Sequence, residues 1–201
     1  MSRDSYVTFW YSGICGKDAK KLEGIYHDMA RKARNIKKEA ATVKTDEIIE
    51  ELCKQFPSRA ECEASFTTRG FTDSAFVKMV LRYVEMSEYK KLETTLKDPE
   101  KVQLEHILPR NPAPGWKEFF PNEKDMRENT YRFGNLTLLY QRLNERARNG
   151  LFSEKKKHYE KSEIGLTNSL KSREKWTAAE VAARTKELFG YVQKTWPIYG
   201  A

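Results

Sequence analysis

Two short stretches constrain this chain more than any other feature. Lys101–Ile107 (KVQLEHI) and Phe133–Leu139 (FGNLTLL) read as strands, each β-prone and bounded by turn formers such as Pro109 and Gly134. Between them lies a long connection that opens on the loop Arg110–Trp116 (RNPAPGW). Two strands make at most a hairpin, which is marginal alone in water and needs a helical cover.

The rest of the chain supplies helices. Between Lys17 and Thr45, apolar residues fall at Leu22, Ile25, Tyr26, Met29, Ala33, Ile36 and Ala40, the spacing of an amphipathic helix. Thr45 or Asp46 caps a second helix, with Ile48, Ile49, Leu52, Cys53 and Phe56 inward and Pro57 as its stop. Ser58 and Glu61 have capping-box spacing and open a short helix towards Phe66. From Thr72 to Tyr89 the stripe is Phe76, Val77, Val80, Leu81 and Val84. A helix from Tyr140 ends at Asn149-Gly150, and Val181, Arg184, Leu188 and Val192 line another within Trp176–Trp196. Met1–Gly16 carry no assignment. The expected fold class is α+β, mainly helical around a small ββα core, with residues 1–98 as a helical accessory region and 99–201 as the core with its C-terminal helices.

Charge narrows the function classes. The chain carries a net +8, and Gln141–Lys175 alone holds ten Lys/Arg against five Asp/Glu. Basicity of this size favours a polyanion partner such as nucleic acid. No apolar run approaches the ~18–20 residues that cross a bilayer, so no membrane partner is expected. Cys15, Cys53 and Cys62 are odd in number and form no CxxC pair. That argues against a disulfide framework and a cysteine zinc site, and fits a reducing cytoplasm.

Three elements converge on one place. Glu105-His106 ends the first strand, Asn135 lies in the second, and Asn144 follows nine residues later on the helix. Hydrolysis of a phosphodiester needs a base to deprotonate water and a cation for the crowded oxyanions. A neutral imidazole suits the first task, and carboxylate and amide oxygens suit Mg²⁺ for the second. Arg142, Arg146 and Arg148 share the helix of Asn144 and are candidate DNA-phosphate contacts.

The motifs LEHILP, GNLTLL and LNERARNGLFSEKKKHY resemble the HNH, or His-Me finger, endonucleases with their ββα-metal motif. More narrowly, the chain from Phe76 to Trp196 is similar to the C-terminal nuclease domain of GmrSD-type modification-dependent restriction enzymes. The resemblance implies Glu105 as a metal ligand, His106 as general base, Asn135 as its orienter and Asn144 as second ligand. It also singles out Phe152 and Lys155, the first as a core residue and the second as a DNA contact. The implied activity is metal-dependent DNA endonuclease in phage defence, using Mg²⁺, with Mn²⁺ and Ni²⁺ not separable from it. The implied partners are DNA and an N-terminal ParB-like nucleotide-binding domain, for which no DGQQR-like motif is present here. Two features depart from the wider pattern. Many HNH enzymes have Asp where this chain has Glu105, and many carry zinc-binding CxxC pairs that are missing here, so no structural zinc is expected. The rival reading is a catalytically silent basic nucleic-acid-binding module.

Overall fold

The computed structural model describes residues 8–34, 50, 54, 56–89 and 99–198. The chain forms two compact units, Met1–Phe66 with Ile198–Ala201, and Thr67–Pro197.

In the first unit, helical turns occupy the described part of the stretch that the sequence left unassigned. Phe9–Ile14 forms a π-helical turn whose Phe9, Trp10, Tyr11 and Ile14 are buried. Helix α1, Ala19–Arg34, keeps the predicted phase but buries only Leu22, against Tyr11. The expected continuation to Thr45 and most of the helix expected after Asp46, Cys53 included, lie outside the described residues. Helix α2, Arg59–Thr68, opens with the predicted capping box: Ser58 N donates to Glu61 Oε2 at 2.8 Å, and Glu61 N donates to Ser58 Oγ at 3.2 Å. The Cys15 and Cys62 thiols are not joined in a disulfide, and their sulfurs approach to 3.0 Å.

The second unit is built on a two-stranded antiparallel sheet, β1 (Val102–His106) and β2 (Leu136–Tyr140). The register pairs Gln103 with Leu139, Glu105 with Thr137 and His106 with Leu136. Helix α3, Ser74–Glu88, is capped by Asp73 and buries the predicted Val77, Val80, Leu81 and Val84. Although the sequence assigns it to the accessory half, α3 packs against both strands and shares their unit. Within the long connection, Trp116 and Phe120 are buried and α4, Glu123–Thr130, is capped by Asn122. Helices α5 (Gln141–Ala147), α6 (Phe152–Tyr159) and α7 (Gly165–Asn168) follow β2, and α8 (Ala178–Thr195) closes the unit.

The hairpin manages its bare edge with side chains. The Leu136 and Leu138 carbonyls point away from β1, so each needs another donor. Arg184 Nη1 on α8 supplies Leu136 at 2.8 Å, and Thr167 Oγ1 on α7 supplies Leu138. Glu85 then ties α3 to α7, its two carboxylate oxygens accepting from Gly165 N at 2.7 Å and Leu166 N at 2.8 Å. Gly134 is pressed onto α8, where a Cβ would overlap the Val181 carbonyl and Thr185. This close approach explains why Phe133–Asn135 winds into a 3-10 turn and β2 starts only at Leu136, later than expected. Among the described residues no helix is long and apolar enough to cross a membrane.

Candidate active site

Successive strand residues face opposite ways, so Glu105 and His106 leave β1 on opposite faces. Glu105 turns to α6. Its Oε1 accepts from Lys155 Nζ at 2.7 Å and from Tyr159 Oη at 2.8 Å, and Lys155 also donates to the His106 carbonyl at 2.8 Å. Lys155 and Tyr159 reach it together because they are four residues apart on one helix face. Burial pushes the Glu105 carboxyl up and the Lys155 ammonium down, and each is pulled back by the charge of the other. With a hydroxyl on the carboxylate and a carbonyl on the ammonium, the pair has the extra hydrogen bonds that a buried ion pair needs to stay charged. The sequence places Lys155 among DNA contacts. The structure instead leaves its side chain 0% exposed, because the α6 face that carries it packs on β1.

His106 sits half-buried at the end of β1, its ring edge-on to Tyr131 at 5.9 Å between centroids. Burial, then the positive charges of Arg110 and Lys155, holds its imidazole down to about 4, so it is neutral at pH 7.

Asn135 is fully buried and uses its whole amide. Its Oδ1 accepts from Leu108 N at 2.8 Å and Trp176 Nε1 at 3.0 Å; its Nδ2 donates to the Leu108 and Thr130 carbonyls, both at 2.9 Å. Its backbone carbonyl accepts from Ile107 N at 2.9 Å. It therefore acts on the two residues after His106 and makes no bond to the imidazole.

Asn144 is half-buried on α5, its Nδ2 donating to Gln103 Oε1 at 2.9 Å. Gln103 is two residues before Glu105, so Asn144 and Glu105 meet the same face of β1. Arg142, Arg146 and Arg148 are exposed. Arg146 acts electrostatically on His158, as do Lys157 and Lys161, so the basic surface continues from α5 onto α6 and beyond. Arg148 departs from expectation. It, rather than Gly150, takes the positive φ at the end of α5 (φ 41°, ψ −129°), a conformation uncommon outside glycine.

Sequence reasoning missed Gln103, Arg110, Tyr131, Tyr159 and Trp176. Strand and helix periods could have found Gln103 from Glu105 and Tyr159 from Lys155. Nothing local pointed to Trp176, which meets Asn135 across 41 positions.

Among curated proteins, none matches the chain. A family model, "GmrSD restriction endonucleases, C-terminal domain", matches residues 56–190, a span holding β1, β2, the helices after them up to the middle of α8, and every candidate side chain above. The chain belongs to the family of GmrSD restriction endonuclease C-terminal domains, which are nuclease domains of restriction enzymes.

Proposed function

We propose that the chain is the metal-dependent, HNH-type DNA endonuclease domain of a modification-dependent restriction enzyme that acts in the cytoplasm against phage. The observation that carries this reading is the hairpin followed by a helix, with a half-buried neutral imidazole at the open end of β1 and a basic helix surface after β2. An N-terminal ParB-like domain would complete the enzyme.

His106 is the general base and takes the proton of the attacking water, a role a positioned neutral histidine fills well. Asn135 fixes the backbone beyond it, so the ring keeps its place as charge develops. Arg110, close enough to depress His106, is exposed and available to the scissile phosphate. Arg142, Arg146 and Arg148 hold neighbouring phosphates and set register without reading bases.

The oxygen donors present fit a hard cation. Lys155 and Tyr159 engage only Oε1 of Glu105, and among the described residues no side-chain donor reaches Oε2 or Asn144 Oδ1. There is no cluster of three His, Cys, Asp or Glu among those residues, so Glu105, Asn144 and Gln103 would hold the ion with water completing its shell. A hard cation such as Mg²⁺, if held by Glu105, Asn144 and Gln103, would supply positive charge for the phosphoryl oxygens and the leaving oxygen.

One observation favours a second reading. The Lys155 ammonium already neutralises Glu105, which suits a silent nucleic-acid-binding module. Plasmid nicking with and without EDTA, on wild type and His106→Ala, separates the two. The nuclease reading expects EDTA to abolish nicking and the substitution to slow it by about 10²–10⁴-fold. Nicking at wild-type rate by folded His106→Ala refutes the base. DNA binding without nicking in any divalent cation supports the silent module.

A further inference from the structure

Two thiols of the first unit meet across 47 positions of chain. Cys15 follows the π-helical turn Phe9–Ile14 and Cys62 lies near the start of α2, their sulfurs 3.0 Å apart. That is about 1 Å beyond a sulfur–sulfur bond. Bonds on either side hold the two segments in register. Ser65 Oγ donates to the Ile14 carbonyl at 3.1 Å, and Lys17 Nζ donates to Glu61 Oε1 at 3.2 Å. Glu61, Cys62 and Ser65 lie on one side of α2, because residues three and four apart on a helix are neighbours. Gly16, at a φ of 64°, turns the chain between Cys15 and Lys17.

The two sulfurs differ in their surroundings. Cys62 is fully buried, whereas Cys15 is half-buried. The Cys15 sulfur, then burial, pushes the Cys62 thiol up, so Cys62 keeps its proton and Cys15 is the member that ionises first. The thiolate is the reactive form of cysteine, and the half-buried member is the one that an oxidant in solution meets. A single buried cysteine packs as a small hydrophobe. A second sulfur held against it adds a reaction that neither has alone.

We propose that Cys15 and Cys62 form a reversible redox site whose oxidant is a hydroperoxide. The Cys15 thiolate attacks one peroxide oxygen: an S–O bond forms, the O–O bond breaks and hydroxide leaves, giving a sulfenic acid. The Cys62 sulfur then attacks the Cys15 sulfur. An S–S bond forms, the S–O bond breaks, and the hydroxyl leaves with the Cys62 proton as water. The two thiols lose two electrons and the peroxide gains them. A dithiol reductant restores both thiols by exchange and becomes a disulfide itself. The bond staples the N-terminal turn to α2 for as long as it lasts. In a reducing compartment such a bond is transient and senses oxidant rather than serving as a framework. The proposal stands apart from the nuclease reading, since His106, Glu105, Asn135 and Asn144 all belong to the other unit.

The test is limited hydrogen peroxide on the reduced full chain, followed by alkylation and non-reducing peptide mapping. The expected product is lighter by two hydrogens, joins Cys15 to Cys62, reverts with dithiothreitol and leaves Cys53 out of the bond. The same treatment in urea is the control. Chain proximity alone favours Cys53 with Cys62, nine positions apart, over a pair 47 positions apart. Folding should reverse that preference, raising the Cys15–Cys62 share by about tenfold or more over urea. Cys62→Ser should stop Cys15 at the sulfenic acid, captured by dimedone, and Cys15→Ser should leave Cys62 reduced. A bond from Cys53 to either partner in the folded chain, oxidation of Cys15 beyond the sulfenic acid with Cys62 still reduced, the same pairing ratio in urea, or no reaction would each overturn the proposal. Nicking assays report separately, so the nuclease reading can fail or stand without this one.

Discussion

Asn135→Ala should destabilise the unit Thr67–Pro197 by about 3–5 kcal/mol, and the figure follows from what the amide touches. The substitution removes two hydrogen bonds that the amide accepts and two that it donates. The Leu108 N–H and the Trp176 indole N–H become buried donors without partners, each costing about 1–3 kcal/mol. The Leu108 and Thr130 carbonyls suffer less, because under-satisfied carbonyls are better tolerated than orphaned N–H groups. Against a total stability of about 5–15 kcal/mol this is a severe loss. With a urea dependence of about 2 kcal/mol per molar, the midpoint should fall by roughly 2 M. Near-UV circular dichroism is the direct assay, because Trp176 is fully buried against the substituted side chain. Asn135→Asp sharpens the test. It keeps the Oδ1 acceptor but points a second oxygen at two carbonyls, so folding holds its carboxyl in the protonated form and raises its pKa. That penalty sets in as pH rises above the unfolded value of about 3.9, so Asn135→Asp should be least unstable in acid. A loss below about 1 kcal/mol for Asn135→Ala, or no pH dependence for Asn135→Asp relative to wild type, would refute the reasoning.

Asn144→Ala should raise the divalent concentration needed for half-maximal nicking, and an unchanged metal titration would remove Asn144 from the ion's shell. Reversing both Arg142 and Arg146 to Glu should weaken binding to every DNA sequence alike and flatten the log-affinity against log-salt slope by roughly 0.9 for each phosphate no longer neutralised; an unaltered slope would place the DNA path elsewhere. Lys155→Met should cost about 3–5 kcal/mol by leaving the Glu105 carboxylate buried beside Tyr159 alone, whereas Glu105→Leu with Lys155→Met should recover most of it. Equal stability of the single and double variants, read by urea midpoints, would show that the pair is not energetically coupled.

The legible parts of the fold were those written in local period and local capping. The stripe of α3, the Ser58–Glu61 capping box, the stripe Val181, Arg184, Leu188 and Val192 of α8 and the existence of both strands follow from neighbours within one or two turns. The illegible parts depend on distant partners. The turn at Phe133–Asn135 looks like strand in sequence, but Gly134 is drawn onto Thr185, whose Oγ1 accepts from the Gly134 N–H at 3.1 Å across 51 positions. Likewise α3 reads as part of an accessory half because no local signal reports that Glu85 caps α7 eighty residues on. For the candidate residues Glu105, His106, Asn135 and Asn144, spacing could not say which way each side chain turns. Lys155 shows the consequence: in a run of three lysines it reads as surface, and only the packing of α6 on β1 reveals it as the buried one.

The candidate residues therefore divide into two physical kinds. Glu105, Asn135 and Lys155 are buried and bonded to the scaffold, while His106, Asn144 and the three arginines of the α5 segment reach towards solvent. The division matters because residues 107–135 form a long connection between two five-residue strands, and a hairpin that short cannot hold such a loop by its ladder alone. A zinc knuckle could contribute roughly 10–16 kcal/mol to that task, and this chain has no CxxC pair with which to make one. The work is distributed instead. Asn135 pins the start of the loop to its end, Trp116 Nε1 pins its middle to the Gly150 carbonyl at 3.2 Å, and Trp176 bonds Asn135 while stacking on Phe152 at 5.3 Å. Each of these bonds is worth far less than a metal, but they share partners, so removing the amide at their centre loosens the loop, the indole and the strand end together. The position of His106 is then a property of the whole loop, and a fully buried asparagine that never touches the imidazole helps to set where it sits.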